Sequence, residues 1–170
     1  MVAPTARACL LIVALLTPAP LTAQENLKFF PPPNWELGQP PQQTKDTLLM
    51  EFVKKGEKLE TWTELLTVQQ FRRTRSSPPP REFYDALKAL REKLCPGQSE
   101  WQVVEEADGT LLYEWRTTET CQGHPPQSEL ARLLYARNTY YRVAFTTRAQ
   151  LTPETRTGWI EWLRGVSVGR

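Results

Sequence analysis

The chain contains a single histidine, His124, so any chemistry that needs an imidazole base must be built on it. A serine or cysteine hydrolase requires such a base, oriented by a carboxylate, next to its nucleophile. In residues 122–126 a glycine precedes His124 and two prolines follow it, a composition typical of an exposed loop. The sequence therefore predicts a loop residue at this position and no catalytic histidine.

Cys121 and His124 have the spacing C-x-x-H, which suggests a pair of metal ligands. A structural zinc ion needs about four ligands, and the others would have to come from Cys95 and scattered carboxylates. Haem attachment requires a second cysteine directly before the histidine, where this chain has Gly123. A disulfide between Cys95 and Cys121 uses the same cysteines more simply, with two buried free thiols as the alternative. We expect the disulfide and no metal or other cofactor.

Several glutamates are candidates for the paired carboxylates of a glycosidase, namely Glu105, Glu106, Glu114 and Glu119. Such a site needs two carboxyl groups about 5 to 9.5 Å apart across a cleft. Acids on the solvated face of a β-hairpin have the same sequence pattern, and the chain has no glycine-rich phosphate loop. We therefore expect that the protein is not an enzyme, with a small exported hydrolase as the alternative.

The chain has six tryptophans, more than a core of this size needs. Trp159 and Trp162 are three residues apart and fall on one side of a predicted helix. Trp101 and Trp115 fall on the two strands of a predicted hairpin, where they can be cross-strand partners. One of these pairs, Trp159 with Trp162 or Trp101 with Trp115, is the candidate lining of a binding surface, while most of the tryptophans are expected in the core.

Residues 1–23 have the pattern of a secretory signal peptide. A start that contains Arg7 precedes the apolar residues 8–16, and Ala23 is a small residue ahead of a cut before Gln24. The apolar run has about half of the ~20 residues that a membrane-spanning helix needs, so we expect no span after cleavage. The pattern predicts a periplasmic or secreted bacterial protein, in a compartment where disulfides persist.

The rest of the chain divides into a proline-rich arm, residues 24–45, and one domain, residues 46–170. Proline favours extended backbone, and Phe29, Phe30 or Trp35 is expected to hold the arm against the surface. The formal net charge is only +2, and charges of both signs are mixed along the chain. Such a surface has no field that attracts nucleic acid, so we expect another envelope protein or a small ligand as the partner.

Hydrophobic periodicity predicts the elements of the domain. Amphipathic helices are expected at 81–94, with Phe83, Leu87, Leu90 and Leu94 on the apolar side, and from Pro153 to Gly165. Residues 128–136 also fit a helix, but the turn at 137–139 favours a strand. Strands are expected at 47–53, 62–71, 101–106, 111–118, 128–136 and 140–146. The order ββαββββα predicts an α+β domain, in which two amphipathic helices cover a single antiparallel sheet of about six strands.

This order resembles the PsbP-like fold, which includes small exported bacterial proteins of the DcrB type. The resemblance covers about residues 46–166 and rests on a hairpin that carries residues 62–68, a helix, a meander and a closing helix with Trp159 and Trp162. It implies a non-enzymatic binding or accessory role and assigns no functional residue. The arm and the cysteine pair depart from the pattern.

These features predict a small exported binding or interaction protein, such as a periplasmic accessory subunit, an inhibitor or an immunity-type partner. A purely structural envelope domain is a further alternative, beside the hydrolase.

Overall fold

The computed structural model describes residues 25–169, so the predicted signal peptide lies outside the described residues. The helices of the described part are α1 (Pro80–Leu94) and α2 (Pro153–Gly165). Its strands are, in chain order, β1 (Asn26–Lys28), β2 (Trp35–Leu37), β3 (Gln42–Gln43), β4 (Thr47–Lys54), β5 (Glu64–Arg72), β6 (Ser99–Ala107), β7 (Thr110–Thr117), β8 (Ser128–Tyr135), β9 (Thr139–Thr147) and β10 (Ser167–Gly169).

The main sheet has the strand order β2-β4-β5-β9-β8-β7-β6, with β3 also on the outer edge of β4. Each pairing among the described strands is antiparallel. The fold is therefore α+β, as predicted, and residues 128–135 form a strand. The expected number of about six strands is too low, because the arm adds β2 and β3. β2 lies between the two proline groups of the arm and β3 directly follows the second, so every residue of both strands keeps the N–H that a ladder requires.

A separate two-stranded sheet joins the ends of the described chain, with Leu27 of β1 opposite Val168 of β10. Glu25 precedes this sheet, and its carboxylate accepts hydrogen bonds from the backbone N–H groups of Arg137 and Asn138 in the β8–β9 turn. The start of the arm is thus held by the turn that joins β8 to β9.

The helices begin and end at the residues that the sequence marks. Pro80 occupies the first turn of α1, and the helix ends at Cys95, ahead of Pro96 and Gly97. The side chain of Thr152 caps α2 by accepting a hydrogen bond from the N–H of Thr155 at 3.2 Å. Within residues 25–169, neither helix is long and apolar enough to cross a membrane.

The two helices cover opposite faces of the sheet, which we name the α1 face and the α2 face. On the α2 face, Ile160 and Leu163 of the helix pack on a core that includes Leu66, Val143 and Phe145. On the α1 face, Tyr84 packs on side chains of β6, β7 and β8, including Trp101, Tyr113 and Leu133. The sheet therefore has a buried layer on each side, and a binding surface must lie on a helix or at a sheet margin.

The residues of α1 that face the sheet are not the four that were predicted to form its apolar side. Phe83 and Leu87 do pack on the sheet, but Leu90 and Leu94 are 53% and 46% exposed. Tyr84 takes their place in the core, and the guanidinium of Arg91 lies 4.6 Å from the ring centre of Trp115. In this orientation the helix places an aromatic ring and a cation against β6 and β7, where ring packing and a cation–π contact stabilise it.

The predicted disulfide between Cys95 and Cys121 is confirmed, with the two Cα atoms 5.9 Å apart. Both cysteines are buried, and the bridge ties the end of α1 to the β7–β8 connection. The side-chain amide of Gln122 adds a hydrogen bond to the carbonyl of Leu94 at 3.3 Å. The disulfide thus fixes the end of the one element that covers the α1 face.

Candidate functional site

The C-x-x-H spacing of Cys121 and His124 belongs to a two-residue turn. Cys121 and His124 exchange backbone hydrogen bonds of 3.0 and 2.8 Å, and both residues between them have positive φ. Gly123 suits such a turn because glycine adopts positive φ without a steric penalty, whereas Gln122 is one of two non-glycine residues among residues 25–169 with positive φ. The imidazole is exposed and Cys121 is oxidised, so this spacing reflects a turn.

The candidate carboxylates bind arginines at separate places. Glu114 binds Arg156, with Oε2 and Nε 2.7 Å apart, and Glu105 binds Arg164 at 2.8 Å, so both fasten α2 to the sheet. Glu106 binds Arg81 of α1 on the opposite face, and this hydrogen bond lowers the pKa of Glu106. Glu119 lies exposed in the β7–β8 connection. These acids dock the helices and do not converge on one cleft.

A buried ion pair that was not predicted from the sequence joins Glu129 of β8 to Arg142 of β9. Arg142 donates from Nη2 to Glu129 at 2.5 Å, from Nε to the hydroxyl of Tyr113 at 3.0 Å and from Nη1 to Gln69 at 3.0 Å. Glu129 also accepts from the indole N–H of Trp115 at 2.8 Å. The sequence does contain a signal for this ion pair, because each of the two apolar strands has a charged residue within it.

Arg142 remains charged despite its burial. Burial by itself lowers the pKa of Arg142, but the charge of Glu129 and the hydrogen bonds outweigh it, so the pKa of Arg142 is raised above its usual value. Within residues 25–169 every buried side-chain nitrogen and oxygen has a hydrogen-bond partner. A network without an unsatisfied group is suited to fixing strand register and does not resemble a site poised for chemistry.

Burial raises the pKa of Tyr113 to about 12, from 10 for a free tyrosine. The folded protein therefore holds this phenolic proton more tightly than the unfolded chain does, so stability is full below about pH 10 and falls as the pH rises towards 12. We expect a loss of about 2 to 3 kcal/mol over this range from Tyr113. Urea unfolding at several alkaline pH values measures it.

Tyr113→Phe should be less stable at neutral pH, because Arg142 loses an acceptor, but its stability should fall less steeply with alkaline pH. Some pH dependence remains, since burial also raises the pKa of Tyr135 to about 12. Identical alkaline slopes in the wild type and the variant would contradict this assignment.

The structure places the first pair of candidate tryptophans in the core beneath α1. Trp101 and Trp115 are opposite each other on β6 and β7, and their rings stack with centres 5.6 Å apart. Trp115 is only 2% exposed and hydrogen-bonds to Glu129, while Trp101 also contacts Tyr84. The cross-strand pairing agrees with the prediction, but Trp115 has no surface to offer a partner.

The second candidate pair, Trp159 and Trp162, is half-buried on α2 between the sheet and the arm. Trp159 stacks on Phe145 with ring centres 3.9 Å apart and meets Trp35 of the arm edge to face. Trp162 meets Phe29 of the arm edge to face, at 5.6 Å. Phe29 and Trp35 therefore hold the arm, whereas Phe30 points into solvent.

Beyond these contacts, α2 and the arm form a surface that we define by Phe30, Pro32, Gly158, Trp159 and Trp162. Phe30 is 83% exposed, the most exposed large apolar side chain among residues 25–169. A shallow apolar cavity of about 290 Å³ lies between Pro32, Gly158 and the two tryptophans. A second, of about 250 Å³, lies between Phe30 and Trp162. We call this the arm–α2 surface.

A second, larger depression of about 510 Å³ lies at the other end of α2 and is lined by charged and polar residues. Glu114 and Trp101, two of the candidates from the sequence, border this depression. No protein-family model matches the chain, and the comparison with curated proteins yields no match.

Proposed function

We propose that this protein is a non-catalytic, exported binding protein that docks a protein partner on the arm–α2 surface. The single observation that carries the proposal is the exposed Phe30 beside Trp162. An exposed aromatic side chain next to half-buried tryptophans is the composition that protein interfaces favour at their centres.

Gly158 is a second, independent observation in favour of the arm–α2 surface. It lies inside α2, where glycine is about 0.5 to 1 kcal/mol less favourable than alanine. A Cβ built at this position meets no atom within 4 Å, so packing within the chain does not require glycine. Its absence of a side chain instead leaves the cavity beside Trp159 open, where an incoming apolar side chain can contact the helix backbone.

The size of the cavities favours a protein over a small molecule. Small-molecule sites are typically enclosed and measure about 300 to 1,000 Å³. The two cavities of the arm–α2 surface measure about 290 and 250 Å³, and both are open to solvent. Each suits one apolar side chain of a partner, with Lys28 and Glu161 as a charged rim.

Export is the second part of the proposal and rests on residues 1–23 together with the disulfide, which is typical of oxidising compartments. The partner is then a protein of the bacterial envelope or the medium, which fits an accessory, inhibitor or immunity-type role. The resemblance to the PsbP-like fold implies the same kind of role and remains a prediction.

Gly158→Ala separates binding from folding. We expect this variant to be more stable than the wild type by about 0.5 to 1 kcal/mol, because alanine restricts the unfolded chain and suits a helix. The added methyl group projects into the cavity beside Trp159 and occupies part of it, so we expect weaker capture of the partner from an envelope extract. Urea unfolding and quantitative affinity capture measure the two effects on the same samples.

Phe30→Ser should also reduce capture while leaving stability unchanged, since Phe30 is almost fully exposed. Leu90→Ser is the matched control, because Leu90 is another exposed apolar side chain, on the helix that covers the opposite face. The proposal fails if Leu90→Ser reduces capture as much as Phe30→Ser does, or if Gly158→Ala captures as well as the wild type.

A further inference from the structure

The larger depression lies between β6, β7, the first turns of α2 and the connection that leads into α2. Its lining includes Glu100, Gln102, Glu114, Arg116, Leu151 and Arg156, and we call it the polar cleft. A cavity of about 380 Å³ continues from it, shares Glu114, Arg116 and Leu151, and reaches Arg148. Like the cavities of the arm–α2 surface, the polar cleft is open to solvent, but at about 510 Å³ it falls within the volume range of small-molecule sites.

Two arginines of the polar cleft use only some of their guanidinium nitrogens in hydrogen bonds to the protein. Arg156 donates from Nε to Oε2 of Glu114 at 2.7 Å. Arg116 donates from Nε and Nη2 to Oε2 of Glu100, at 2.9 and 2.6 Å. Within residues 25–169, these bonds leave both Nη groups of Arg156 and Nη1 of Arg116 without a protein acceptor. Glu114 thus orients the part-buried guanidinium of Arg156 and leaves its Nη donors free, whereas Arg116 and Glu100 form an ion pair in which both side chains are more than half exposed.

Two other arginines, Arg142 and Arg132, bind groups that belong to the fold. Arg142 uses all three of its nitrogens on Tyr113, Gln69 and Glu129. Arg132 directs Nη1 at three carbonyls at the end of α2, including that of Leu163 at 2.9 Å. Among the described residues, Arg142 has no donor nitrogen left over, and Arg132 is committed to the end of α2, although its Nε and Nη2 have no protein acceptor either. Arg156 differs from both because it lines the polar cleft.

The free donors of Arg156 fit a carboxylate. A guanidinium binds the two oxygens of a carboxylate through parallel hydrogen bonds, and a bond at Nε keeps its plane fixed for this purpose. The two glutamates in the same cleft disfavour a dianion such as phosphate, because like charges repel at short range. A ligand with a single carboxylate is the better electrostatic match.

The acceptors of the polar cleft point to a second group on the same ligand. Glu100 and Glu114 each use Oε2 for their arginine, which leaves Oε1 of each as an acceptor for a cation. Gln102 adds an amide at the rim, and Leu151 an apolar contact. We infer that the polar cleft binds a small zwitterion that carries one carboxylate and one amine, of the size of an amino acid or a dipeptide. This site is independent of the arm–α2 surface.

Titration of the ¹⁵N-labelled protein with glycylglycine tests the inference, with the Nε–Hε signals of Arg116 and Arg156 as the readout. We expect saturable shifts of both signals. N-acetyl-glycylglycine lacks the amine and glycylglycinamide lacks the carboxylate, so each should bind more weakly than the parent dipeptide. Equal binding of either derivative overturns the zwitterion assignment, and no saturable shift with any of the three compounds overturns the site.

Arg156→Ala should weaken binding about tenfold or more, because it removes the bidentate contact. Arg164→Ala is the matched control, since Arg164 also lies on α2 and binds a glutamate of β6 through Nε, at 2.8 Å, outside the cleft. Arg156→Lys keeps the charge and guards against misfolding, and it should also bind weakly. The location is wrong if Arg164→Ala loses affinity as Arg156→Ala does, or if Arg156→Lys binds like the wild type.

Discussion

Replacing Glu129 with alanine is expected to lower the free energy of unfolding by about 3 to 5 kcal/mol. The substitution leaves the guanidinium of Arg142 buried without its counter-ion, and it removes the acceptor of the Trp115 indole and of the Thr146 hydroxyl. The side chains of Arg142 and Glu129 are only 12% and 7% exposed, so water cannot replace the lost partner. Urea unfolding at neutral pH measures the change.

Glu105→Ala is the control for this prediction. It breaks the ion pair with Arg164, in which both side chains are about half exposed, and should cost less than about 1 kcal/mol. Glu129→Gln retains an acceptor without the charge and should fall between the two. If Glu129→Ala costs no more than Glu105→Ala, the buried pair does not stabilise the sheet in the way described.

Removal of the disulfide is the second change with a large expected effect. The double variant Cys95→Ala and Cys121→Ala should lose about 2 to 5 kcal/mol, and the chain-entropy estimate for a separation of 26 residues is about 3.5 kcal/mol. Changing both cysteines avoids a lone thiol that pairs with another chain. Unfolding in urea, with thiol titration of the unfolded wild type, measures the effect and the oxidation state together.

The loss should be confined to the α1 face, since the bridge fixes the end of α1 and the arm–α2 surface lies on the opposite face. The variant should therefore still capture the partner at low temperature. Two free thiols in the unfolded wild type would contradict the bridge, and loss of capture by a variant that remains folded would contradict the separation of the two faces.

Most of the central fold could be predicted from local patterns. The Asp108-Gly109 turn between alternating segments marked the β6–β7 hairpin, and Thr152-Pro153 marked the start of α2. The arm strands β2 and β3 could not be found in this way. They have three and two residues, too few for periodicity, and they exist because β4 offers an unpaired edge.

The candidate site could be predicted only in part, for a related reason. Spacing placed Trp159 and Trp162 on one side of α2, but it could not tell which tryptophans another element covers. Trp115 is covered because α1 is rotated towards Tyr84 and Arg91, and that rotation depends on the shape of the sheet beneath it. The exposure of Phe30 likewise depends on how Phe29 and Trp35 anchor the arm.

Site-specific photo-crosslinking in cells tests the central claim most directly. A benzophenone amino acid at position 30 samples the arm–α2 surface, and the same amino acid at position 90 samples an exposed site on the other helix. We expect one discrete crosslinked protein species from position 30, lost when Gly158→Ala is added, and none of that species from position 90. The same species from both positions, or no crosslink from position 30, would contradict the account.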